Sequence, residues 1–143
     1  MLGEQVGNFT GKVTSQRVLP SDSPGAQASR GAILGLEVSV EMSGAILGVE
    51  GTFVATYIVQ FRPDGTPHGQ GQGVIMTQDR DVVTLTGEGK GHYSGRGMAT
   101  NFRGAIYYQT GSQKLARLND ACHVFEWDVD EVNNVHATLW EWK

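Results

Sequence analysis

The chain has one cysteine, Cys122, so no disulfide can form within it. A reducing, cytoplasmic setting is the corresponding expectation. No apolar run approaches the length a membrane-spanning helix needs, so no membrane partner is expected. The opening "MLGEQVGNFTG" has neither a charged leader nor an apolar core, and no secretory signal is expected. Basic residues are outnumbered, 11 against 15 acidic ones, for a formal charge of −4. Without a basic stripe to neutralise phosphates, nucleic acid is not an expected partner. Helical periodicity is missing too: no long segment repeats its apolar residues every 3.6 positions. Only four prolines occur, and no low-complexity tract.

What is abundant is glycine, 20 residues in 143, spread through apolar stretches where it penalises helices. Alternation with period two recurs. In "LEVSVEM" it puts Leu36, Val38, Val40 and Met42 on one face. In "GTFVATYIVQF" it does the same for Phe53, Ala55, Tyr57, Val59 and Phe61, before a turn at "RPDGT". Strands follow in "GQGVIMT", "VVTLTGEGKGHY", "RGMATNFRGAIYY", "ACHVFEWDV" and "VHATLWEW", with one helical turn expected in "KLARLND". With a strand before residue 19, the count is about eight. Short connections and the edge-strand problem favour a closed antiparallel up-and-down barrel in one domain, 1–143, over a two-sheet sandwich. The stretch "LPSDSPGAQASRG", residues 19–31, is expected to be a flexible surface loop.

One phrase occurs twice: "GAILGLE" at 31–37 returns as "GAILGVE" at 44–50. Thirteen residues is too short for a solenoid or propeller unit, and no third copy exists. The repeat reads as a strand edge or bend made twice, not as a duplicated site.

Turn lengths predict registers. A four-residue turn at 78–81 pairs Met76 with Val83 and Gln72 with Gly87. A two-residue turn at Ser94 and Gly95 pairs Gly87 with Phe102. A two-residue turn at Asn133 and Asn134 pairs Trp127 with Trp140 and Phe125 with Trp142, leaving Glu126 opposite Glu141 on the wet face. The predicted interior is apolar, with all three tryptophans and a polar minority: Tyr57, Gln70, Gln72, Tyr93, Arg96, Thr100, Tyr108, His123 and His136. Aromatic walls, a few polar groups and space left by glycine are how a small-barrel ligand pocket is built.

Other chemistries fare less well. "GEGKGHYSGRG" has no Ser or Thr after Lys90 and no following helix, so it is not a phosphate loop, and no cofactor is expected. Of four histidines only His123 and His136 are predicted inside, short of the three ligands a catalytic zinc needs; no metal is expected. Cys122 and His123 are adjacent on a strand and point to opposite faces, which argues against a thiol nucleophile activated by that imidazole.

The order of "YIVQFRPDGT", "GEGKGHYSGRG" and "GSQKLARLNDACHVFEWDVD…LWEWK" resembles a family of small uncharacterised bacterial proteins, similar in fold to the allene oxide cyclase barrels. The resemblance spans about residues 35–143 and rests on turn and glycine patterns. It implies an eight-stranded antiparallel barrel of the calycin-like type with a central cavity, and often a homo-oligomer. Plant cyclases of that fold use a buried glutamate, a cysteine and an asparagine. Glu126, Cys122 and Asn119 do not share an inward parity, so none of the three roles transfers.

The expected function is a barrel binding a small apolar or amphipathic molecule, with isomerisation or cyclisation as the activity it could support. Tyr57, Gln70, Gln72, Tyr93, Arg96, Tyr108, His123, Phe125, Trp127 and Trp140 are the expected ligand-binding residues. His123 and Tyr93 are candidates to move a proton, as are Tyr57 and Tyr108, with Arg96 steadying negative charge. The alternative is a non-catalytic structural or interaction module whose barrel is filled by its own side chains.

Overall fold

The computed structural model describes residues 2–20 and 35–143. Eight strands run in chain order: β1 (Leu2–Leu19), β2 (Gly35–Ile46), β3 (Val49–Phe61), β4 (Pro67–Thr77), β5 (Val82–Tyr93), β6 (Thr100–Thr110), β7 (Cys122–Val129) and β8 (Asn134–Trp142). Each pairs antiparallel with the next and β8 returns to β1 over Leu2 to Lys12, closing an up-and-down barrel. The helical turn expected in "KLARLND" is a 3-10 turn, Ala116–Asp120. Its buried Leu118, with Leu115 just before it, plugs the lower end of the barrel. The expected loop at 19–31 lies, beyond Pro20, outside the described residues, as do residues 31–34 of the first "GAILG".

The inward faces of β2 and β3 are those the alternation predicts: Val40, Met42 and Phe53 are fully buried, and Tyr57 and Phe61 pack against the core. On β6 and β7 the same holds for Thr100, Phe102, Tyr108, His123, Phe125 and Trp127. The turn before β6 is longer than two residues, since Ser94 N donates to the Ala99 carbonyl. Gly87 therefore pairs with Ile106 rather than Phe102, a shift of four positions that preserves parity.

Two strands are inverted relative to the sequence expectation. At the β4–β5 turn Thr77 N donates to Asp81 O and Arg80 N to Thr77 O, with Arg80 at φ +66°. At the β7–β8 turn Asp130 N donates to Asn134 O and Asn133 N to Asp130 O, with Asn133 at φ +67°. Both are three-residue loops closed by a left-handed residue. Asp130 Oδ1 fixes the second by accepting from the Val132 and Asn134 amides. An odd-length loop, where two or four residues were expected, turns every side chain of the following pairing to the other face. Met76 pairs with Val82, Gln72 with Thr86, Trp127 with Ala137 and Phe125 with Leu139. Inside are Gly69, Gly71, Gly73 and Ile75 on β4, and Val135, Ala137, Leu139 and Glu141 on β8.

Candidate functional site

Glycine shapes the barrel interior on one side. Gly69 pairs with Gly89 and Gly71 with Gly87, so the β4–β5 wall presents bare backbone inward over two rungs. Aromatic rings from opposite and neighbouring strands lean into that space. A Cβ placed on Gly69 would lie 3.3 Å from Phe102 Cε1, and one on Gly89 would lie 2.8 Å from Phe125 Cζ. Between the glycine wall and these rings a cavity of about 60 Å³ remains, bounded by Phe53, Tyr57, Phe102, Phe125 and Trp127. The rings meet edge to face: Phe53 and Trp127 at 5.7 Å, Tyr57 and Trp127 at 5.6 Å, Tyr57 and Phe102 at 6.2 Å. Such packing fixes the shape of the chamber. One polar interaction crosses it, Trp127 Nε1–H donating to Tyr57 Oη at 3.3 Å. Burial pushes the Tyr57 hydroxyl up to about 12, against the lowering effect of the Trp127 hydrogen bond, so it stays neutral.

A second polar cluster lies toward the plugged end. The rings of Tyr108 and His123 meet edge to face at 4.9 Å, and both residues are buried. Tyr108 Oη and both His123 ring nitrogens have no hydrogen-bond partner among the described residues. Burial raises the Tyr108 hydroxyl. Burial also holds the His123 imidazole below its ordinary range, opposed by the charge of Glu141 and the Ala121 backbone. Glu141, cross-strand partner of His123, is buried yet charged, because Arg117 Nε donates to its Oε2 at 3.0 Å and Nη2 to its Oε1 at 3.3 Å. The same Nη2 reaches Glu4 at 2.6 Å, and Lys143 approaches Glu141 at 3.5 Å. Since an orphaned buried hydroxyl is costly, Tyr108→Phe should be neutral or stabilise the protein by about 1 kcal/mol in urea unfolding. A loss of that size would mean the hydroxyl is hydrogen-bonded.

Among the residues expected at the site, the structure brings Tyr57, Phe125 and Trp127 together around the chamber and sets Tyr108 and His123 below it. The others are corrections. Gln70 and Gln72 border the chamber, but their side chains are exposed on the outer face, because β4 is inverted. Trp140 and Trp142 point outward and His136 is exposed, because β8 is inverted, whereas Glu141 is inside. Tyr93 has the inward parity but stands at the rim, 47% exposed. Arg96 is exposed in the turn beyond it, where its amide donates to Glu131 Oε1. Phe53 and Phe102 were left out of the expected site. The signal for the chamber is the matched alternation of Gly69, Gly71 and Gly73 with Gly87, Gly89 and Gly91, which brings glycine strand to glycine strand in the observed register.

No family model and no curated protein matches the chain. Solved structures do. A protein of unknown function from Clostridium acetobutylicum aligns with a TM-score of 0.79 at 14% identity, over 99% of this chain and 97% of its own. A beta-barrel like protein from Acinetobacter baumannii gives 0.76 at 14%, over 100% and 96%. An enzyme from Penicillium herquei gives 0.61 at 16%, over 99% and 96%. The likeness is one of fold. Among the described residues no helix is long and apolar enough to cross a membrane, and no group of three or more His, Cys, Asp or Glu is placed to hold a metal ion.

Proposed function

We propose that the barrel binds a small, mainly apolar molecule, or the apolar end of a larger one, in the chamber between the glycine wall and the five aromatic rings. The supporting observation is the chamber itself, walled almost wholly by apolar side chains and bare backbone. At about 60 Å³ it falls well short of the several hundred Å³ of a drug-sized pocket. One ring or one short branched chain is the most it can take, and only as the Phe53, Phe102 and Phe125 rings give way, since a cavity that binds benzene measures about 150 Å³. The resemblance to allene oxide cyclase barrels suggests isomerisation or cyclisation as the chemistry, and one structural neighbour is itself an enzyme. Confinement would lower its barrier, since ordering a flexible substrate removes much of the entropic cost of ring closure. Tyr93 and Arg96 take no part in this reading. A side-chain-filled barrel is the second reading, favoured by the Phe53, Phe102 and Phe125 rings that already occupy much of the glycine space.

Trp127 faces the chamber whereas Trp140 and Trp142 face outward, so the double variant Trp140→Phe/Trp142→Phe isolates a chamber reporter. Titration with toluene should change its emission saturably. Gly87→Ala in the same background should abolish the response, because the added methyl enters the chamber 3.3 Å from Ile106 Cγ1. A flat response to toluene and similar single-ring hydrocarbons would favour the filled barrel.

A further inference from the structure

The hydrogen bond inside the chamber constrains what the ligand must carry. An indole N–H can only donate, so Tyr57 Oη is the acceptor in its contact with Trp127. The Tyr57 hydroxyl hydrogen is then left to donate, and no acceptor for it exists among the described residues. The hydroxyl remains protonated because burial raises it to about 12. Tyr57 is therefore a neutral donor, held on one side by Trp127 and packed edge to face against Phe102. Tyr57 is partly buried, and a donor set among aromatic rings without a protein acceptor is costly; a ligand oxygen that completes it recovers that cost. Charge in the ligand is disfavoured: Glu88, the one carboxylate bordering the chamber, is exposed on the outer face, and no Lys, Arg or His among the described residues lines the wall.

Building on the binding reading above, we infer that the ligand class is a neutral carbonyl, ether or hydroxyl compound with an apolar body, and that Tyr57 donates to its oxygen. Tyr57 thereby selects such a ligand over the matching hydrocarbon.

Two probes of one size separate this inference from the reading beneath it: cyclohexanone, which has the acceptor, and methylcyclohexane, which lacks it. Dissociation constants for both would be measured by ligand-observed NMR on the unaltered protein, Tyr57→Phe and Trp127→Phe. Cyclohexanone should bind about fivefold more weakly to Tyr57→Phe, the range one neutral hydrogen bond gives. Methylcyclohexane should bind that variant at least as well as the unaltered protein. Trp127→Phe, which keeps the Tyr57 donor, should retain the ketone's advantage and serves as the test should Tyr57→Phe not fold. Equal effects of Tyr57→Phe on both probes, or loss of the advantage in Trp127→Phe, would overturn the role of Tyr57 while leaving the chamber a binding site. Failure of both probes to bind the unaltered protein would overturn the chamber reading and this inference with it.

Discussion

Gly44→Ala should cost the barrel about 4 kcal/mol or more, a large part of the 5–15 kcal/mol typical of a whole domain. Gly44 lies in β2 opposite Phe9 of β1 and Gly51 of β3, two rungs from the β2–β3 turn. A Cβ there would overlap the Asn8 carbonyl oxygen and stand 2.8 Å from Phe9 Cα. Both obstacles are backbone, tied into the β1–β2 and β1–β8 ladders, so they cannot retreat without breaking hydrogen bonds. Gly48, four residues on in the same "GAILG", meets nothing within 4 Å but holds φ at +79° in the two-residue turn with Leu47. Its alanine variant should lose only about 1 kcal/mol, the strain of a left-handed L-residue. Gly111→Ala, with open space and an ordinary φ, should be close to neutral. Urea unfolding of the three variants would order them; a Gly44→Ala protein within about 1 kcal/mol of its parent would refute the close-packing argument.

The contrast within that phrase shows how far the sequence could be read. Period-two alternation identifies the strands because it depends only on which residues seek the core, and it placed Val38, Val40, Phe53, Phe102, Phe125 and Trp127 correctly. Which face of one strand meets which face of the next depends instead on the parity of the turn between them. Nothing in "TQDRD" or "DEVNN" distinguishes a three-residue loop from a two- or four-residue one until Arg80 and Asn133 are seen at positive φ. Arginine is an uncommon choice there, so the β4–β5 loop gave little warning. That single unit of length turned the side chains of Gln70, Gln72 and Trp140 outward and that of Glu141 inward. The six-residue span at 94–99 shows the complementary case, where a large error in length left parity intact and the inward face of β6 unchanged.

Glu141's inward turn leads to the second large effect, a loss of stability in mild acid that depends on His123. Burial holds the folded-state imidazole below its ordinary 6.5, so between that folded value and 6.5 the unfolded chain binds more protons than the folded one. Stability from this group is therefore fully present above 6.5 and falls with decreasing pH, with a slope limited to one proton. Four groups set the balance: Tyr108, neutral against the ring; Glu141, whose charge favours the imidazolium; Arg117, whose charge opposes it; and Lys143, which partly offsets Glu141. Glu141 adds its own acid loss lower down, because Arg117 holds its carboxyl below 4.5 and the resulting stability fades as pH falls through that lowered value. The first window thus opens at 6.5 and the second at 4.5. Melting temperature measured from pH 7 to pH 5 should fall in the unaltered protein and fall distinctly less in His123→Leu, which also spares the cost of two unpartnered ring nitrogens. Glu141→Gln should steepen the same limb by removing the charge that aids protonation, while Arg117→Ala should flatten it. Equal slopes in the unaltered protein and His123→Leu would place the acid sensitivity elsewhere and show that the buried imidazole accepts its proton freely.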